Sequence, residues 1–278
     1  MHFHVWIGQY ISITEGKMIL AALAQFAVCF LILAWVLKKK TGEPYSRKAV
    51  IKFVLFGALG VILFFCLTLV LPIQEDTFYG MNPIISGFLT ALITASLTEE
   101  IIKYIVFRLA IGKNREVVCW LDVIIAAIAV GIGFTLLEDV TYLFEGAGTI
   151  VRAILPGHIL FQGIMGYYYG KARVTGQFKF HVLSLAVPIL VHTAFDMFII
   201  GLMSVVGSTK DLAGITADQL SNLPYYSYLI PMVIGAIVAM IGTLIALILF
   251  LRKVGAWSRN GDKQELAGER RKENHSMC

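Results

Sequence analysis

The chain has 278 residues, of which 58% are hydrophobic and 15% charged, and it carries a net charge of +5. That is too apolar and too poor in charge for a water-soluble domain of this length, so the solvent it is built for is lipid. The basic excess is scattered between apolar stretches and not gathered into a patch, which gives a nucleic-acid partner no support.

A helix of about 20 apolar residues crosses the hydrocarbon core of a bilayer. Seven stretches qualify, at 17–37, 49–71, 83–107, 117–144, 150–170, 181–203 and 227–251. The first has no basic run before it and is followed by Lys38, Lys39 and Lys40, a stop-transfer flank, so it is read as a retained span. The predicted fold is an all-α membrane protein of about seven transmembrane helices. It forms a single polytopic membrane domain over 1–258, with a short polar tail over 259–278 whose composition predicts disorder. Cys29, Cys66, Cys119 and Cys278 are scattered without CxxC spacing, so neither a disulfide framework nor a zinc knuckle is indicated.

Cytoplasmic connections retain Lys and Arg. Alternate connections on one side hold Lys38, Lys39, Lys40, Arg47 and Lys48, then Arg108, Lys113 and Arg115, then Lys171, Arg173 and Lys179, and finally seven basic residues from Arg252 to Lys272. The other side holds only Lys17, Arg152 and Lys210. The bias predicts an N-terminus outside and a C-terminus in the cytoplasm.

An ionisable residue deep in a span costs about 2.5–3.5 kcal/mol. The third span nevertheless carries Glu99, Glu100 and Lys103, the fourth Glu138 and Asp139, the fifth His158, and the sixth His192 and Asp196. Uncompensated, the six chargeable groups among them would cost on the order of 15–20 kcal/mol, so they must face one another or a wet pocket. Spans three to six are therefore predicted to enclose a shared polar centre. The first, second and seventh wrap it.

Residues three or four apart share a helix face. Glu99 and Lys103 stand in that relation, with Glu100 about 100° away, so the expectation is that one carboxylate pairs with Lys103 and the other stays available. Asp196 follows His192 by four and can orient its imidazole, while Tyr142 places a phenol one turn beyond Glu138. Asp139 serves either the site or the outer helix end. His2 and His4 read as a solvated terminus, and Tyr167, Tyr168 and Tyr169 as an aromatic belt. On straight helices Glu138 lies about 27 Å from the cytoplasmic end of its span, against about 12 Å for Glu100 and about 17–20 Å for the histidines. Either that span starts lower, or it bends near Gly131 and Gly133, or Glu138 works at an outer entrance.

Four stretches, in order, resemble the signatures of the PrsW-type intramembrane proteases, relatives of the CAAX-type prenyl-protein proteases. LTEEIIKYIVFR resembles their EExxK motif, and DVIIAAIAVGIGFTLLEDVTYLF their glycine-rich helix leading to a glutamate and a tyrosine. PGHILFQGIMGYYYGKA is similar to their third signature and VHTAFDMF to an HxxxD fourth. The matched core covers about 83–203. The family usually has Asn after the glutamate where this chain has Asp139.

The resemblance implies hydrolysis of a peptide bond in or near the span of a membrane-anchored protein, typically a single-span protein such as a membrane-bound anti-sigma factor. It gives Glu99, Glu100, Glu138, His158 and His192 the functional positions, with Lys103, Asp139, Tyr142 and Asp196 supporting. Acids and imidazoles can activate water in two ways. A glutamate acts as general base, or a divalent metal such as zinc, held by His158, His192 and Glu138, does so. No HExxH, GxGD or GxSG motif offers another route. The rivals are an ion- or proton-coupled transporter, against which stands the lack of repeat symmetry, and a non-catalytic membrane scaffold, which need not retain the full acid and histidine set.

Overall fold

A computed structural model of the protein describes residues 15–70, 77–78, 80–145, 157–206, 218, 221–222 and 225–276. Every extended element among them is helical: α1 (Glu15–Leu37), α2 (Arg47–Thr68), α3 (Pro83–Thr90), a π-helical turn (Ala91–Ser96), α4 (Leu97–Ile111), α5 (Trp120–Glu145), α6 (Gly157–Thr175), α7 (Phe178–Val206), a 3₁₀ turn (Tyr226–Tyr228) and α8 (Leu229–Ser276).

Among the described residues, six helical stretches are long and apolar enough to cross a membrane: Ile19–Leu37, Arg47–Thr68, Pro83–Ile111, Trp120–Thr141, Phe178–Val205 and Tyr226–Arg259. Helix α6, the described part of the fifth expected span, is not among them. His158, Gln162, three tyrosines, Lys171 and Arg173 make it too polar, and residues 150–156, with the expected kink at Pro156, lie outside the described residues. The polar stretch from Arg259, where composition suggests disorder, continues α8 as helix to Ser276. Its Lys, Glu, Gln, Arg, Ala and Leu content favours that conformation.

Helix α5 is the axis of the bundle. Some 83% of its membrane window is buried, against 17–39% for the other five. An apolar residue on every side marks a helix enclosed by protein, and Val123 to Phe134 is a buried run of this kind. Glycines let its neighbours close in. A Cβ at Gly133 would stand 1.9 Å from the Val54 carbonyl oxygen of α2, and one at Gly57 of α2 would stand 2.0 Å from the Val130 carbonyl oxygen. Outward faces of α1, α2 and α8 present Leu20, Leu31, Leu55, Ile230 and Val238, which suit contact with acyl chains.

Polar stitches tie both ends. At one end Asp122 accepts from the Val118 and Cys119 amides at 2.9 and 3.1 Å and pairs with Lys40 at 3.4 Å. Ser46 donates to Glu116 from both its amide and its hydroxyl. The Tyr45 hydroxyl donates to the Asp122 carbonyl at 2.9 Å, and burial, reinforced by the Asp122 charge, pushes that phenol well above the usual tyrosine range. Two of the basic connections, α1 to α2 and α4 to α5, thus lie side by side. At the other end Asn82 caps α3 and donates to the Tyr228 hydroxyl at 2.7 Å, while Tyr225 donates to the Gly80 carbonyl.

Candidate active site

The third expected span is one continuous stretch interrupted by a π-helical turn just ahead of the acidic pair. A π turn inserts extra backbone and re-phases the side chains beyond it, a feature that recurs at functional sites. Here Glu99 is 4% exposed, and Glu100 and Lys103 are 0% exposed, all on α4 and all facing inward. The lysine does not choose between the acids. Its Nζ bonds Glu99 Oε2 and Glu100 Oε1, each at 2.9 Å, because an ammonium carries three donors and the i+3 and i+4 reaches both suit it. The expectation of one paired and one spare carboxylate is corrected accordingly.

The same Nζ lies 2.9 Å from Nδ1 of His158 on α6 and 4.1 Å above the Phe134 ring of α5. An ammonium donating to Nδ1 leaves the ring proton on Nε2, and Nε2 meets Glu138 Oε2 at 2.6 Å. His192 on α7 differs at its inner nitrogen: Nδ1 is 3.0 Å from Glu100 Oε1 and Nε2 is 3.0 Å from Asp196 Oδ2, so both ring nitrogens face carboxylates. Each imidazole therefore turns Nδ1 toward the acidic pair and backs Nε2 with a carboxylate. Outer carboxylates of this kind fix ring orientation and raise basicity. Phe161 stacks on His192 at 4.7 Å, and the two imidazoles stand edge to face at 5.2 Å.

Glu99, Glu100, His158 and His192 each offer a ligand atom, and these atoms lie within 4.8 Å of one another in the protein interior. Oε2 of Glu100 is buried without a hydrogen-bond partner. With Glu99, Glu100, Glu138 and Asp196 ionised, Lys103 offsets one of four negative charges, and His192, both of whose ring nitrogens face carboxylates, is placed to offset a second when it carries both protons. Buried excess charge of that size calls for protonation or a further cation. The donor set, two carboxylates and two buttressed imidazoles, suits a divalent transition-metal ion.

Of the residues expected at the site, Glu99, Glu100, Glu138, His158, His192, Lys103 and Asp196 come together. The metal set read from the sequence is His158, His192 and Glu138; the ligand atoms that converge here are those of Glu99, Glu100, His158 and His192, while Glu138 Oε2 meets the far nitrogen of His158. That contact brings Glu138 to the level of His158, and α5 begins at Trp120, three positions later than expected. Asp139 is buried close enough to Cys29 of α1 to act on it electrostatically. The Tyr142 side chain lies outside the described residues. Phe134 and Phe161 wall the site; the sequence reading places Phe134 in the FxxxE stretch ahead of Glu138 without giving it a role, and passes over Phe161. Their spacing, four before Glu138 and three after His158, was the available signal.

Comparison with known proteins now decides the kinship. Residues 45–215 match the PrsW family intramembrane metalloprotease description, more than half of the chain. This chain belongs to that family. It is 32% identical over 176 residues to Protease PrsW of Oceanobacillus iheyensis, covering 60% of this chain and 77% of the relative. Against Protease PrsW of Bacillus subtilis the identity is 31% over 152 residues, covering 52% and 67%, and against that of Clostridioides difficile it is 26% over 179, covering 59% and 73%. No solved structure matches. Membership in the PrsW family, together with six membrane-capable helices, makes the protein a multi-pass peptidase of the cell membrane.

Proposed function

We propose that the protein hydrolyses a peptide bond in or near the span of a single-span membrane protein, an anti-sigma-factor-like client by resemblance, with Glu100 as the base that activates water. The carrying observation is the convergence of Glu99, Glu100, His158 and His192, from three helices, to within 4.8 Å inside the bundle.

Glu100 suits the role of base because Oε1 is held by Lys103 and His192 while Oε2 is buried and unbonded, so it can accept a proton from a water beside it. Glu99 shares the lysine and holds negative charge next to it. His158 and His192, oriented by Glu138 and Asp196, stand where they can donate toward an oxyanion or return the proton to the leaving amine. Burial keeps bulk water out and strengthens these interactions.

A divalent ion such as zinc, held by Glu99, Glu100, His158 and His192, supplies Lewis acidity toward the carbonyl and lowers the pKa of water when bound. The site sits in a single membrane domain over 1–258 with its tail at 259–278. Seven spans, with the N-terminus outside and the C-terminus cytoplasmic, are the topology that the basic connections support.

The test is cleavage of a membrane-anchored peptide by purified protein in proteoliposomes. Glu100→Gln and His192→Ala should each abolish it while helicity and thermal midpoint are kept. Undiminished cleavage by both variants rejects the reading.

A further inference from the structure

Lys103 stands where a metal would. Its Nζ is 2.9 Å from Glu99 Oε2, Glu100 Oε1 and His158 Nδ1, three of the four residues of the converging donor group. An ion ligated at about 2.0–2.2 Å needs lone pairs on those same residues, and it adds two positive charges beside an ammonium that is 0% exposed. The single lone pair on His158 Nδ1 cannot serve both cations, and the carboxylate oxygens beside it would face two like charges at close range.

We propose that Lys103 and the metal are mutually exclusive occupants of this centre: the ammonium holds the two carboxylates and His158 in place while metal is absent, and metal entry expels it. The inference rests on the metal reading of the site given above. It goes further, because it makes a residue of the chain's own signature a competitor of the cofactor and not a helper.

The surroundings support an exchange. Lys103 is tethered one turn below the acids by a flexible four-carbon stem, and its ammonium lies 4.1 Å above the face of Phe134, a second cation-accepting surface. The imidazoles need no such movement. With Nε2 of each held by Glu138 or Asp196, both Nδ1 atoms already point inward once the lysine leaves. The lysine also offsets part of the carboxylate charge gathered in the bundle before a metal arrives, and removing it leaves more of that charge uncompensated.

Cobalt(II) is the probe, titrated into purified full-length protein in detergent and read from its ligand-field absorption, with thermal midpoints measured in parallel. Lys103→Met should bind cobalt roughly tenfold tighter or more, as expected when a like charge at close range is removed. Its metal-free form should melt below wild type, and cobalt should raise its midpoint by more than it raises that of wild type. Should Lys103→Met fail to yield folded protein, Lys103→Arg carries the test: its fixed charge and forked donors should weaken cobalt binding below wild type.

Cobalt affinity in Lys103→Met equal to or below that of wild type overturns the exclusion and leaves the metal centre standing. Equal or tighter binding by Lys103→Arg does the same. Cobalt bound by neither wild type nor Lys103→Met overturns the metal centre and the exclusion together.

Discussion

Glu100 and His192 lie 92 positions apart and meet at 3.0 Å through Oε1 and Nδ1, fully inside the helix bundle. On the other side of the same imidazole, Asp196 holds Nε2 at 3.0 Å. Asp196 therefore acts on the reaction through His192 and is a positioning residue. Asp196→Asn keeps the shape but loses the charge, and should lower turnover by about 10–100-fold, the usual scale for an outer carboxylate on a functional histidine. His192→Ala should remove activity altogether. The measurement is kcat on a membrane-anchored peptide; an Asp196→Asn enzyme as dead as His192→Ala would mean that Asp196 does more than orient the ring.

Glu138 holds the corresponding place behind His158, at 2.6 Å from Nε2. If it only buttresses, Glu138→Gln should retain a residual rate and weaken metal affinity by about 10–100-fold. Glu99→Gln and Glu100→Gln, which alter the inner donors, should weaken it further. Metal content after dialysis at a fixed free zinc concentration ranks the three. Complete loss from Glu138→Gln alone would return that residue to the inner set.

The cost of burying charge in lipid made the site readable: Glu99, Glu100, Glu138, His158 and His192 stood out because nothing else tolerates them in apolar spans. The distribution of roles was not readable in the same way. Spacing alone treats Glu99 and Glu100 as pointing apart, but Lys103, four and three positions on, reaches both with one flexible ammonium. The stretch 150–170 reads as a span from sequence, but its described part, α6, with His158 and Gln162 turned inward beside α5, is too polar to count as one by composition. Which nitrogen of His158 faces Glu138 depends on how α5 and α6 lie against each other, and no local pattern encodes that.

The contact between α2 and α5 gives a stability test independent of chemistry. A Cβ at Gly133 meets the Val54 carbonyl at 1.9 Å, backbone that cannot yield without moving a helix, so Gly133→Ala should destabilise by roughly 1–3 kcal/mol or more. Gly242 of α8 has nothing within 4 Å of the same position. Gly242→Ala should be neutral or slightly stabilising, since alanine is the better helix former. Thermal midpoints in one detergent compare the two, and equal losses would mean that the close crossing is not what holds α2.

The transporter alternative makes an opposite prediction about the same acids. A proton relay requires carboxylates that load and unload across the bilayer, whereas a hydrolytic site needs water and a peptide and no net transfer. In proteoliposomes with an imposed pH gradient, wild type and Glu100→Gln should leak protons at the same rate, while only wild type cleaves a reconstituted single-span substrate. Chelation by 1,10-phenanthroline should stop cleavage, and added zinc should restore it, without changing the leak. The contacts of Glu99, Glu100 and His158 with Lys103 favour this outcome: side chains held at 2.9 Å around one ammonium suit a fixed hydrolytic site better than carboxylates that must load and unload in turn. A leak that tracks cleavage through both variant and chelator would favour conduction over hydrolysis.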